Sequence, residues 1–138
     1  MVLTTTGAAK AVSKVIPHLD GLLTGNAVRV PTPNVSLAIM NLTFEKKTSR
    51  DAVHDLLKAA CLHGDLVEQL HYSNSTEYVS SQAVGMTSTS VLDAPSIIVS
   101  PDGLTATVYA WYDNEYGYTC QVVRLAKHVA KVRRYAYY

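Results

Sequence analysis

The 138-residue sequence predicts an α+β domain: a mostly antiparallel sheet with helices on one face. Three observations carry this. Two segments space their apolar residues at the 3.6-residue helical period, and a third reads as an amphipathic helix at the C-terminal end. Several short β-prone runs are separated by Gly, Pro and Asn clusters. The order is helix, strands, helix, several strands, helix, which is not the strict alternation of a doubly wound parallel fold.

Taken in order, residues 4–16 ("TTTGAAKAVSKVI") are predicted to be helical. Ala8, Ala11, Val12, Val15 and Ile16 share one face, Thr5 or Thr6 is a natural N-cap, and Pro17 limits continuation. "DGLLTG" (20–25) is turn material, and "NAVRVP" and "NVSLAIMNLTFEK" read as two strands separated by a Pro-Thr-Pro kink. In the second strand the apolar positions change parity, from Val35, Leu37 and Ile39 to Met40, Leu42 and Phe44. A bulge near Met40 or coverage of both faces would produce this, and coverage of both faces is favoured. Residues 49–62 repeat Val53, Leu56, Leu57, Ala60 and Cys61 at i, i+3, i+4, i+7, i+8; Thr48 with Asp51 resembles a capping box, and Gly64 ends the helix. Strand-like runs follow at 66–72, 77–82, 88–93 and 96–100, then a "SPDG" turn (100–103) and a long strand over 104–112. The last helix is expected over about 118–130, with Tyr118, Val122, Leu125, Ala126 and Val129 as its stripe. The basic, aromatic end, residues 131–138, is expected to be a disordered tail.

A chain 48% hydrophobic and of this length supports one core. A formal net charge of +1 argues against nucleic acid or an anionic membrane surface as partner. Neither a signal-like N-terminus nor an apolar run of membrane-spanning length is present, so a cytoplasmic location is expected. Cys61 and Cys120 have no C-x-x-C partners, which speaks against a zinc site or a disulfide framework. Cys61 lies on the apolar stripe of its helix, and Cys120 falls in the first turn expected for the last helix. The five histidines are scattered singly. No Gly-rich dinucleotide loop, Walker sequence or nucleophile elbow occurs.

Two segments combine polar groups with a helix N-terminus. In Thr4-Thr5-Thr6-Gly7, hydroxyls and free backbone N–H groups suit a phosphate, or form a plain N-cap. In "WYDNEYGY" (111–118), Asn114 and Tyr118 stand at a strand–helix junction, where an amide can recognise another amide and a ring can cover a flat heterocycle. The same cluster could instead be a turn held by Asx bonds and packed aromatics. Arg29, between Val28 and Val30, faces either solvent or an anion.

The runs "TTTGAAKAVSKVIP" (4–17), "LTGNAVRVPTPNVS" (23–36), "EYVSS" (77–81) and "WYDNEYGYTCQVVRL" (111–125) occur in the order and spacing of one family. The chain resembles the C-terminal, catalytic half of phosphorylating glyceraldehyde-3-phosphate dehydrogenase, with 1–130 as a partial catalytic domain. The resemblance implies that Thr6 and Gly7 bind the attacking inorganic phosphate and that Arg29 lies between two phosphate pockets. By the same resemblance Asn114 holds the nicotinamide carboxamide of NAD, and Tyr118 packs beside the nicotinamide ring. It also implies glycolytic chemistry, subunit contacts through the second sheet face, and hence a homo-oligomer. The family's cysteine nucleophile, its histidine base and its Rossmann half match nothing in these residues, and Cys61 and Cys120 match no catalytic position. The chain alone is therefore expected to be inactive, and a missing N-terminal Rossmann half is an implied partner. A freestanding, non-catalytic oligomerisation or phosphate-binding module is the alternative.

Overall fold

The computed structural model describes residues 1–132, arranged as two compact units, 1–33 and 34 onward. In the first unit β1 (Val2–Thr5) pairs antiparallel with β2 (Asn26–Arg29), and α1 (Ala8–Val15) lies between them in sequence. The helix expected from residue 4 thus begins at Ala8, and Thr4 and Thr5 are strand. Their β-branched side chains suit a ladder, which a partner some twenty residues away supplies through the pairs Thr4–Ala27 and Thr5–Asn26. Neither Thr5 nor Thr6 caps the helix in the usual way: Gly7 is the N-cap residue, and the Thr6 hydroxyl accepts from the N–H of Ala8 at 3.3 Å.

The second unit contains a five-stranded sheet. β3 (Ser36–Thr43) pairs antiparallel with β7 (Thr105–Tyr112), β7 with β5 (Ser90–Asp93), and β5 runs parallel to β4 (Leu70–Ser73). The short β6 (Ile98–Val99) forms a hairpin with β7 across the predicted 100–103 turn, where Gly103 adopts φ +73° and its N–H reaches the Ser100 carbonyl. One parallel pair among antiparallel ones makes this the α+β arrangement that the sequence predicts. The run at 77–82 is not a strand; Ser80–Ala83 form a single 3-10 turn in which Gln82 bonds back to Val79.

The helix α2 (Arg50–Leu62) covers one face of this sheet. Val53 and Cys61 join Leu92, Ile97, Val108 and Ala110 in the core, with Leu57 and Phe44 packed against them. Burial in that core raises the Cys61 thiol pKa. Ser49, not Thr48, is the N-cap, accepting from the N–H of Ala52 at 3.1 Å. Leu56, counted on the buried stripe, is exposed.

The parity change in β3 has no bulge behind it, because the β3–β7 register runs unbroken from Ser36–Tyr112 to Thr43–Thr105. Nor are both faces covered in the single chain. β3 is an edge strand, Ala38 reaches the core, and Ile39 on the opposite face is 58% exposed.

The last helix, α3, spans Tyr116–Val129 and ends in a Schellman motif. Val132 bonds to the Lys127 carbonyl and Lys131, at φ +55°, to that of His128. Its expected stripe is bare: Tyr118, Val122, Leu125 and Val129 are all exposed. Residues 133–138, within the tail expected over 131–138, lie outside the described residues. No helix among the described residues is long and apolar enough to cross a membrane.

Candidate functional site

Asn114 and Tyr118 stand where β7 hands over to α3. The strand ends at Tyr112, paired with Ser36, and Asp113 follows with its carboxylate turned inward, 3% exposed. Burying a carboxylate requires that its oxygens be satisfied, and here they are. Oδ1 accepts from the N–H groups of Glu115 (3.0 Å) and Tyr116 (2.8 Å), which are the free donors at the start of α3. Oδ2 accepts from the Gly85 N–H (2.8 Å) and the Asn34 side-chain amide (3.1 Å). These bonds, led by those from Gly85 and Tyr116, hold the Asp113 pKa below the ordinary carboxylate value.

Three further features brace the junction. Gly117 is buried, and a Cβ there would meet the Ser88 carbonyl oxygen at 3.1 Å, so glycine lets the first turn of α3 lie close to the preceding loop. Val35, just before β3, takes φ +75°, an unusual conformation for a β-branched residue. Its N–H is held by Asn34 Oδ1 at 2.7 Å, and the same side chain reaches Asp113 through its amide nitrogen. Trp111 donates its indole N–H to Asp93 at 3.0 Å, while Tyr78 lies tilted against its ring.

On this base Asn114 is exposed, and Tyr118, one helical turn later, is 70% exposed. A carboxamide with donor and acceptor and an uncovered aromatic ring are thus carried by one rigid corner, suited to a planar ligand that bears its own amide. Cys120 is the fifth residue of α3, beyond the first turn, and is partly buried. No cluster of metal-ligating side chains occurs among the described residues.

In the first unit Thr6 and Gly7 adjoin at the N-terminus of α1, both exposed, and no side chain caps the helix. Nothing lies within 4 Å of where a Gly7 Cβ would stand, and its φ of −86° does not require glycine. Arg29 is exposed and pairs with Val2, three residues along the ladder from the Thr5–Asn26 pair that leads to Thr6, roughly 10 Å at the strand rise. The backbone therefore joins Thr6 to Gly7 and sets Arg29 at the other end of the ladder.

The sequence singles out neither Asp113 nor Asn34 as a site residue. An acid at the start of a helix after a strand is a capping signal, but the sequence does not show that its second oxygen binds residues 28 and 79 positions away.

The family model described as "Glyceraldehyde 3-phosphate dehydrogenase, C-terminal domain" matches residues 1–114. A glyceraldehyde-3-phosphate dehydrogenase-like protein of Pseudomonas aeruginosa is 48% identical over 132 residues, covering 96% of this chain and 28% of that protein. Glyceraldehyde-3-phosphate dehydrogenases of Schistosoma mansoni and Geobacillus stearothermophilus are each 47% identical, covering 93% and 92% of this chain and 37% of their own lengths. The chain thus spans about a third of the length of the relatives it matches. It belongs to the glyceraldehyde 3-phosphate dehydrogenase C-terminal domain family.

Proposed function

We propose that this chain supplies the phosphate- and nicotinamide-contacting residues of an NAD-dependent, phosphorylating aldehyde-phosphate dehydrogenase. The observation that carries this is the exposed pair Asn114 and Tyr118 on the braced β7–α3 junction of a chain with this family membership. Asn114 would donate to and accept from the cofactor's carboxamide, fixing which ring face is presented, and Tyr118 would cover the ring's flank. The dinucleotide, when bound, accepts the hydride. Thr6 and Gly7 would receive inorganic phosphate through a hydroxyl and the first N–H groups of α1, where the helix dipole favours an anion. The open space above Gly7 supports this, since nothing in the fold itself demands glycine there. Arg29, about 10 Å along the ladder, would add positive charge to the same unit without touching that position.

The nucleophilic cysteine and its base are not among these residues, so this reading assigns them to the N-terminal part of the family protein. The exposed apolar residues Val122, Leu125 and Val129 of α3 are a surface that such a part would cover. The bare sheet face gives a second surface. Leu37, Ile98, Tyr109 and Trp111 line an open groove of about 500 Å³ there, which suits self-association into a homo-oligomer.

Activity should be absent in the purified chain and appear when the N-terminal part of a family member is added. Failure to gain activity, together with phosphate-induced amide shifts at Thr6 and Gly7, would favour the freestanding phosphate-binding module instead. Neither response would remove both readings.

A further inference from the structure

The carboxylate of Asp113 does more than the Asx turn leading into α3 requires. That turn needs one oxygen, and Oδ1 already serves the N–H groups of Glu115 and Tyr116. Oδ2 instead ties the turn to two distant segments, the loop at Gly85 and the strained residues before β3 through Asn34. The turn alone would orient the helix start but leave it free to shift against the sheet. The Oδ2 bonds remove that freedom, and they do so at the residue directly preceding Asn114. On its other side Asn114 is followed by Glu115, whose N–H is also held by Asp113. The backbone of Asn114 is therefore gripped from both sides by one carboxylate.

Asn34 extends the same grip. Its side chain bridges the Val35 N–H and Asp113, so a backbone conformation that valine rarely adopts is joined directly to the junction. Strained geometry of this kind persists only where surrounding contacts over-determine it.

We propose that Asp113 is a positioning residue, whose Oδ2 links to Gly85 and Asn34 set where the Asn114 carboxamide stands to meet the carboxamide of a nicotinamide ring. This rests on the reading of Asn114 given above. Misplacing a recognition group by a fraction of its hydrogen-bond length weakens binding without removing any contact residue.

The test uses Asp113→Asn, which keeps an oxygen for the α3 N–H groups but turns an NH2 toward Gly85 and Asn34. In the chain alone, amide hydrogen exchange should quicken at Gly85 while Glu115 and Tyr116 keep their protection. In the active complex with the N-terminal part, KM for NAD should rise about tenfold, with KM for inorganic phosphate within about twofold of the parent. A loss of folding would move both constants or abolish activity, so the split separates positioning from structure. Asn114→Ala serves as the benchmark, and adding Asp113→Asn to it should cost nothing more, because one substitution acts through the other. An unchanged KM for NAD in Asp113→Asn, or effects that multiply in the double variant, overturns the proposal and leaves the Asn114 reading intact. An Asn114→Ala variant with unaltered KM for NAD overturns that reading and this proposal with it.

Discussion

Replacing Gly103 with alanine tests the contact that seats the start of α2 beside the β6–β7 hairpin. Gly103 is buried at φ +73°, and a Cβ there would stand 2.5 Å from the Thr48 carbonyl oxygen and 3.2 Å from the Thr48 nitrogen. Both are backbone atoms, so the new methyl cannot be accommodated by turning a side chain. The left-handed conformation costs alanine about 1 kcal/mol. Relieving the clash means moving Thr48, which breaks its 2.9 Å bond to the Gly103 carbonyl, worth about 1 kcal/mol. It also disturbs the adjoining Ser49 cap, worth about another 1 kcal/mol. The expected loss is about 3 kcal/mol. Gly64 is the control: it has φ +85° and nothing within 4 Å, so Gly64→Ala should cost only the conformational part, about 1 kcal/mol. Both can be read by urea unfolding followed through the single tryptophan, Trp111, with the slope checked for constancy. Equal midpoint shifts in the two variants would refute the steric part of this reasoning.

Four more outcomes are expected. The folded-state pKa of Asp113 is depressed, so its stabilisation is present above about pH 4 and is lost as pH falls through the folded value. The stability gap between the parent and Asp113→Asn should therefore be full at neutral pH and shrink in acid unfolding curves once pH falls below the ordinary carboxylate value; a gap that widens in acid would contradict this. Trp111→Phe removes the donor to the Asp93 carboxylate, which is 9% exposed, and should destabilise the chain by about 2 kcal/mol in denaturant unfolding. Because burial raises the Cys61 pKa, iodoacetamide should label Cys120 before Cys61 in the native chain; mass spectrometry of partly labelled protein would show the order. Leu125→Glu, on the exposed stripe of α3, should change the stability of the chain by less than about 0.5 kcal/mol yet prevent activation by the N-terminal part.

Much of the second unit is legible in the sequence because its signals are local. The apolar spacing that marks α2, the Pro-Asp-Gly turn that makes the β6–β7 hairpin, and the β-rich run that becomes β7 each depend on residues within one element. Asn114 and Tyr118 could be singled out for the same reason, as side chains at a strand–helix junction with suitable chemistry. Misreadings occur where a distant partner decides. Thr4 and Thr5 fit a helical pattern until β2 offers them a ladder, and the 77–82 run, though Tyr78 packs on Trp111 of β7, joins no ladder and closes into a 3-10 turn.

Amphipathic spacing fixes which residues share a face, whatever the rest of the fold, and so α2 and α3 both carry apolar stripes in the sequence. Whether a stripe is buried depends on what packs against it. Val53 and Cys61 meet the sheet, while Leu56 and the stripe of α3 stay largely exposed among the described residues. The Asp113 carboxylate follows the same rule. Its Oδ1 half is local, bonding the N–H groups two and three positions on. Its other half needed Gly85 and Asn34 brought to one point, and only the folding of the sheet, across 28 and 79 residues, places their donors within reach of a single oxygen.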